Sequence, residues 1–267
     1  MNTNINEDFK QEGYITGLDI LTSDEVDFYL RSFLEYEKRL GGQITGSYRF
    51  KSHLLLPWMN QLVKHPNIIN AVKQIIGDDI LCWSTDLFPK EPNTGKLCAW
   101  HQDATYVGMN PPDALTVWVA LTESTLENGC VQFSRGSHLK GQMDHKQTFS
   151  ENSMLLYGQE IPVEVNDSTI VHAILKPGQA SIHHVMTVHA SGPNQSNTRR
   201  IGIAVRYCGS YVQQQNGIGD SATLVCGKDF GNFELETEPV IEFGREEIES
   251  HQKAVSPVGP QHLIESK

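Results

Sequence analysis

From Ile80 to Gly209 the chain repeats one texture, short runs rich in Val, Ile, Thr and aromatic residues, with turn formers between them. The runs are ILCWSTDLF, CAWHQDATY, ALTVWVALT, GCVQFS, STIVHAIL, QASIHHVMTVHA and RIGIAVRYCG, broken by PNTG, NPPD, ENG and KPG. This pattern predicts an antiparallel sandwich or barrel, with a double-sheet jelly roll as the leading architecture. All-β units of this kind reach the present 267 residues as one domain. We therefore expect a single, mainly β domain over 1–267, with flanking helices in 1–79, a cupin-like jelly-roll core in 80–210 and a C-terminal wrap in 211–267.

Ahead of that core the periodicity is helical. Thr22 or Ser23 can cap a helix with Asp24 and Glu25 in its first turn. Its apolar positions are Val26, Tyr29, Leu30, Phe33, Leu34 and Tyr36, and Gly41-Gly42 ends it. A second helix is predicted from about Pro66 to Ile76, with Ile68, Ile69, Val72, Ile75 and Ile76 on one side and Gly77 closing it. The stretch from about Lys140 to Val165 is too long and polar for a hairpin loop and reads as a cover over a site. After Tyr211 the periodicity is weak, and the acids from Glu234 to Glu249 read as a solvated face.

Lys and Arg number 21 against 32 Asp and Glu, a net charge of −11 with the eleven histidines neutral. That balance argues against nucleic acid as a partner, because neutralising phosphates needs clustered cations. The longest apolar runs, such as Leu115 to Leu121, fall far short of the roughly 20 residues of a spanning helix, so no membrane partner is expected. The first residues lack the basic start and apolar stretch of a secretory signal, and a cytoplasmic location is the expectation. Cys82, Cys98, Cys130, Cys208 and Cys226 are scattered and without a CxxC, which reads as buried free thiols.

In CAWHQDATY, His101 and Asp103 are two apart on an expected strand, where period-2 geometry turns both to one face. An H-x-D tripeptide is weak alone, and His189 is the candidate third ligand. Two imidazoles and one carboxylate form the facial triad of non-haem Fe(II) oxygenases, with three positions left for cosubstrate and O2. Zinc is the competing reading, but no thiolate accompanies the set and no HExxH is present. Arg200 follows His189 by eleven residues. Its guanidinium fork suits the far carboxylate of a dicarboxylate cosubstrate. Strand alternation lets only one of Arg199 and Arg200 face inward.

The ordered set W-H-Q-D (Trp100 to Asp103), V-W-V-A-L-T-E-S-T-L-E-N-G-C (Val117 to Cys130), S-R-G-S-H (Ser134 to His138), P-G-Q-A (Pro177 to Ala180) and H-A-S-G-x-N (His189 to Asn194) with Arg200 resembles the phytanoyl-CoA dioxygenase family over about residues 7–210. The resemblance implies a double-stranded β-helix and an Fe(II)- and 2-oxoglutarate-dependent oxygenase, with O2 as second cosubstrate. It implies His101, Asp103 and His189 as iron ligands and Arg200 as the 2-oxoglutarate arginine. Ser191 matches a supporting hydroxyl, and Gln102 and Trp118 match positions lining the cosubstrate pocket. The superfamily's halogenating branch replaces the carboxylate ligand by a small residue; Asp103 is present, so hydroxylation is expected.

Other residues have a structural reading beside a functional one. His183 shares the parity of His189 and reads as packed or as a neighbour of the metal, and His184 then points the other way. His138, Arg135 and Ser137 read as turn residues. Trp83, beside Asp86 and Lys90, reads as core or as pocket wall. Tyr106, Asn110 and Gln213 are candidates for contacts to a polar substrate.

A CoA ester calls for a basic rim, which this acidic chain lacks, so the expected partner is a small polar or zwitterionic molecule, such as a 2-aminoethylphosphonate-like compound. An acyl-CoA or natural-product hydroxylase and a non-oxygenase, cupin-like metal-binding protein are the alternatives. The sequence leaves the oligomeric state open.

Overall fold

The computed structural model describes residues 5–148, 150–155, 158–162, 166–215 and 219–256. In chain order these form α1 (Ile5–Glu12), β1 (Tyr14–Asp19), α2 (Ser23–Arg39), α3 (Pro57–Val63), α4 (Pro66–Ile76), β2 (Ile80–Leu87), β3 (Cys98–His101), α5 (Ala104–Val107), β4 (Met109–Asn110), β5 (Ala114–Ala120), β6 (Val131–Ser134), β7 (Lys146–Gln147), β8 (Gln159–Glu160), β9 (Ile170–His172), β10 (Gln179–His184), β11 (His189–Ser191), β12 (Gly202–Gly209), β13 (Gln213–Gln214), β14 (Ser221–Cys226), β15 (Glu234–Leu235) and α6 (Arg245–Val255). No helix among the described residues is long and apolar enough to cross a membrane.

The helices follow their local signals. Thr22 closes a capping box on α2, its Oγ1 accepting from Glu25 N while Glu25 Oε2 accepts from Thr22 N, an arrangement that stabilises by roughly 1 kcal/mol. Gly77 caps α4 at φ 87°, a conformation glycine adopts freely. Together α2, α3 and α4 bury Phe33, Tyr36, Met59, Leu62 and Val72 against one face of a sheet.

That sheet has seven strands in the order β1-β10-β5-β12-β2-β14-β15, and a second has four in the order β3-β11-β6-β9. Pairing is antiparallel throughout both except between β14 and β15. The two sheets form the jelly roll expected of the sequence. Period-2 alternation divides their residues cleanly. Leu115, Val117 and Val119 of β5 and Ile203, Val205 and Tyr207 of β12 pack toward the helices. Trp118, Ala120 and Ala204, from the alternate positions, pack on Val131 and Phe133 of the four-stranded sheet.

Three sequence expectations change. The large sheet draws β1 and β14 from outside 80–210, because the Gly-interrupted YITGLD and the short SATLVC are recognisable as strands only once their partners are in place. QASIHHVMTVHA is two strands, with β10 ending in the large sheet at His184 and β11 beginning in the small one at His189. Asp103 lies beyond the end of β3, in helical conformation at the cap of α5.

The C-terminal segment is fastened by buried charge. Lys51 Nζ donates to Glu236 Oε1 at 2.7 Å and to the Ser221 carbonyl at 2.7 Å, with Asp220 Oδ1 at 3.5 Å. His53 Nε2 and Thr223 Oγ1 meet Glu236 Oε2 at 3.2 and 2.7 Å. Burial pushes the Glu236 carboxyl up, but Lys51 and His53 outweigh it and hold it well below the usual carboxylate range. A carboxylate so depressed stabilises the fold above its unfolded pKa and loses that contribution as pH falls toward its folded value. Glu236→Gln strands Lys51 in the interior. It is expected to cost about 3 kcal/mol in urea unfolding at pH 7 and to flatten the loss of stability that the wild type shows below about pH 4.

Candidate active site

The cleft between the sheets is lined by Phe88, His101, Asp103, Thr116, Trp118, Val131, Leu155, His183, His189, Ser191, Arg200 and Arg206, among others, and encloses about 450 Å³ including its mouth. The two histidines come from neighbouring strands. His189 of β11 is the direct antiparallel partner of His101 of β3, so both rings leave the same face of the small sheet. Asp103 joins them because the chain turns into α5 directly after β3. One donor atom from each of the three residues lies within 4.8 Å of the others, and all three residues are buried.

The imidazoles are pre-set as ligands. His101 Nδ1 donates to the Ala99 carbonyl at 2.7 Å and His189 Nδ1 to the Thr187 carbonyl at 2.9 Å, which leaves each Nε2 lone pair toward Asp103. Burial, aided by the neighbouring histidine, pushes His101 down to about 3 and His189 down to about 4, so both are neutral at pH 7. Burial pushes Asp103 the other way, but Arg206 and His183 outweigh it and hold its carboxyl well below the usual range. Two neutral nitrogens and one ionised oxygen suit Fe(II).

The opposite sheet holds the carboxylate. His183, Thr116 and Arg206 are Cα partners in a single row across β10, β5 and β12. All three reach Asp103 Oδ2. Thr116 Oγ1 donates to it at 2.8 Å, Arg206 Nε lies at 3.5 Å and His183 Nε2 at 3.6 Å. Oδ1 is thereby turned to the histidines, 3.8 Å from His101 Nε2 and 3.9 Å from His189 Nε2. Arg206 also meets Asp86, which in turn meets Arg49.

At the other end of the cleft Arg200 is 1% exposed. Nη1 donates to the Gly129 carbonyl and to Ser191 Oγ, Nη2 donates to the Phe88 carbonyl, and the guanidinium lies 5.0 Å over the Trp118 ring. Its Nε is buried without a hydrogen-bond partner among the described residues, and burial lowers its pKa to about 10. A buried cation with no carboxylate partner among the described residues and with a spare donor fits a carboxylate ligand. Two glycines make the room. Gly129 sits at φ 75°, where a Cβ would fall 2.2 Å from the Gly192 carbonyl oxygen, and a Cβ on Gly202 would fall 2.1 Å from the Trp118 ring.

A sequence model of the family Phytanoyl-CoA dioxygenase (PhyH) matches residues 9–202. This chain belongs to the phytanoyl-CoA dioxygenase family. The family is one of Fe(II)- and 2-oxoglutarate-dependent dioxygenases, and with the H-x-D…H triad its cofactors here are Fe(II) and 2-oxoglutarate. A probable alpha-ketoglutarate-dependent hypophosphite dioxygenase of Stutzerimonas stutzeri is 27% identical over 63% of this chain and 59% of its own length. The chain spans about half to three-fifths of the length of the curated relatives it matches. Among solved structures, a non-heme monooxygenase, ThoJ, is 35% identical over 97% of both chains with a TM-score of 0.85. CytC3 with Fe(II) and alpha-ketoglutarate, at 24% identity, TM-score 0.65 and 89% and 94% coverage, shares the fold.

The dioxygenase fold brings His101, Asp103, His189, Arg200, Ser191 and Trp118 to one cleft, and it leaves other expected residues elsewhere. Gln102, the first residue after β3, faces away, its amide donating to the Gly141 and Met186 carbonyls and its Oε1 accepting from Met143 N. These bonds hold Gly141 and Met143, at the start of the stretch expected to cover the site, and among its described residues Leu155 reaches the cleft. Asn110 and Gln213 pair with each other in a separate two-stranded ribbon outside the cleft. The Tyr106 side chain lies outside the described residues. Trp83 lines a smaller cavity that adjoins the cleft at Thr116 and Arg206, its indole donating to Asp220. Arg199 pairs with Glu37 and Glu91 away from the cleft. His138 binds the Lys10 carbonyl, and Ser137 Oγ accepts from Val188 N, as turn residues would.

Thr116 and Arg206 were the residues missed, although parity could have found them: Thr116 is two before Trp118, and Arg206 shares the parity of Arg200. Thr116→Val removes the donor that orients Asp103. Equilibrium titration with Co(II) is expected to show metal binding about 10- to 100-fold weaker, while Thr116→Ser, which keeps the hydroxyl, stays near wild type.

Proposed function

We propose that this chain hydroxylates an unactivated C–H bond of a small polar or zwitterionic substrate, such as a 2-aminoethylphosphonate-like compound. In this reading His101, Asp103 and His189 hold Fe(II), and Arg200, with Ser191 and Trp118 beside it, anchors the distal carboxylate of 2-oxoglutarate. The observation that carries it is the pairing, in one cleft, of a neutral-histidine triad with a buried, carboxylate-free arginine.

The bound group supplies the oxidising chemistry, in which one oxygen atom of O2 goes to substrate while 2-oxoglutarate becomes succinate and CO2. The chain supplies placement. Arg200 fixes one end of the cosubstrate, and Trp118, packed beneath the guanidinium, keeps it from turning. Thr116 keeps Asp103 Oδ2 occupied, so that the carboxylate presents Oδ1 to the metal side. Phe88, Val131 and Leu155 add apolar wall and exclude water.

Two features support a small charged substrate. Arg206, backed by Asp86, brings a cation to the cleft wall beside the triad, and the net charge of −11 disfavours a phosphate-rich CoA ester. A relative named for hypophosphite, a small oxyanion, points the same way.

Anaerobic addition of Fe(II) and 2-oxoglutarate is expected to give the visible charge-transfer band of a chelated keto acid. Arg200→Ala is expected to weaken 2-oxoglutarate binding by about 2 to 3 kcal/mol, roughly 30- to 150-fold. In a substrate panel scored by succinate, small zwitterions should stimulate turnover. Turnover of acyl-CoA alone would replace the substrate class, and a missing band would remove the oxygenase reading.

A further inference from the structure

Behind the cosubstrate end of the cleft, at the Ser191 strand end, lies a second buried cation. Lys90 is 1% exposed and lies directly opposite Arg200 in an antiparallel bridge, each residue's amide donating to the other's carbonyl at 2.8 and 3.1 Å. Like charges on facing residues destabilise paired backbone, and burial raises the cost further. Neither side chain has a carboxylate partner among the described residues. Lys90 Nζ donates to the Ser191 carbonyl at 2.9 Å, to Ser191 Oγ at 2.6 Å and to the Gly192 carbonyl.

Ser191 joins the two cations. Its Oγ accepts from Lys90 and, at 3.0 Å, from Arg200, and its own proton goes to the Gly129 carbonyl at 2.8 Å. Every hydrogen-bonding capacity of that hydroxyl is used, which fixes both the serine rotamer and the Arg200 nitrogen beside it. Asn194 completes the support by donating to the Lys90 carbonyl at 3.0 Å. The Lys90 ammonium is thus directed wholly to the Ser191–Gly192 strand end, which borders the cleft through Ser191. Burial, with Arg200 beside it, lowers its pKa to about 7.

We propose that Lys90 is a positioning residue of the cosubstrate pocket: it tethers Ser191 and adds a second positive charge behind Arg200, so that the pocket selects a 2-oxo acid with a distal carboxylate. Burial and the neighbouring guanidinium leave Lys90 only partly charged at neutral pH; an anion beside Arg200 favours its charged form, and only the dicarboxylate brings that anion to the pair. The inference rests on the 2-oxoglutarate reading above and extends it to the origin of cosubstrate selectivity.

The test compares binding of 2-oxoglutarate with 2-oxobutyrate, which lacks the distal carboxylate, to Ni(II)-loaded protein by calorimetry. Wild type should prefer 2-oxoglutarate strongly. Lys90→Gln keeps a hydrogen-bond donor but removes the charge, and it should weaken 2-oxoglutarate about tenfold or more while leaving 2-oxobutyrate within about twofold. Lys90→Arg should retain most of the preference. Lys90→Met replaces the Gln variant if thermal unfolding shows the latter misfolded. Equal weakening of both acids, or no change in either, overturns the inference and leaves the oxygenase reading intact. Failure of wild type to bind 2-oxoglutarate at all overturns both.

Discussion

The carboxylate of Asp103 is the point on which the structure turns. Its residue belongs to the end of a strand in the small sheet, while one of its oxygens is held by a row of side chains on the large sheet. The two histidines come from the small sheet alone. A complete ligand set therefore exists only when the sheets are closed on each other at the right spacing. The apolar layer of Trp118, Ala120, Ala204, Val131 and Phe133 sets that spacing. Core packing at crystal-like density is what makes such a separation reproducible.

The cleft is electrostatically divided. Near the triad, Arg49, Asp86, Arg206 and Asp103 alternate in sign, so each charge has an opposite neighbour. Around Ser191 there are two cations and no carboxylate among the described residues. The first arrangement is self-compensating and holds side chains in place. The second is incomplete without an anion, and its cost is tolerated because surrounding backbone carbonyls supply partial compensation. The same residue type thus has different meanings at the two ends, decided by neighbours rather than by sequence.

Much of this was legible in advance. Helix boundaries in α2 and α4 followed from caps, glycines and periodicity, because those signals are local. The jelly roll followed from spaced strand texture, and the triad from residue type and order. What failed depended on where strands end. Asp103 was expected to share a face with His101 by strand alternation; it does so instead because the chain bends into α5. Gln102 was expected to line the pocket, yet its amide fastens Gly141 and Met143 instead. Strands β1 and β14 were obscured because partners distant in sequence stabilise them. Arg206 carried a readable signal in its parity with Arg200, but nothing in a single strand reveals the row it forms with Thr116 and His183.

An acidic protein that binds a dianionic cosubstrate poses a problem of magnitudes. The excess negative charge is spread over the surface, and at physiological ionic strength its influence decays over about 8 Å. A carboxylate in contact with a buried guanidinium, at about 3 Å and an effective dielectric near 20, gains on the order of 5 kcal/mol. The local interaction wins provided the cation is buried, unscreened and not already paired. Arg200 meets each condition, being enclosed, stacked on Trp118 and surrounded by carbonyls rather than carboxylates. Placing this charge on an exposed side chain would forfeit the low dielectric that makes it effective. In the proposed reading, burial of Arg200 is therefore the condition that lets a chain of this net charge hold the cosubstrate, and the closed sandwich around Trp118 provides that burial.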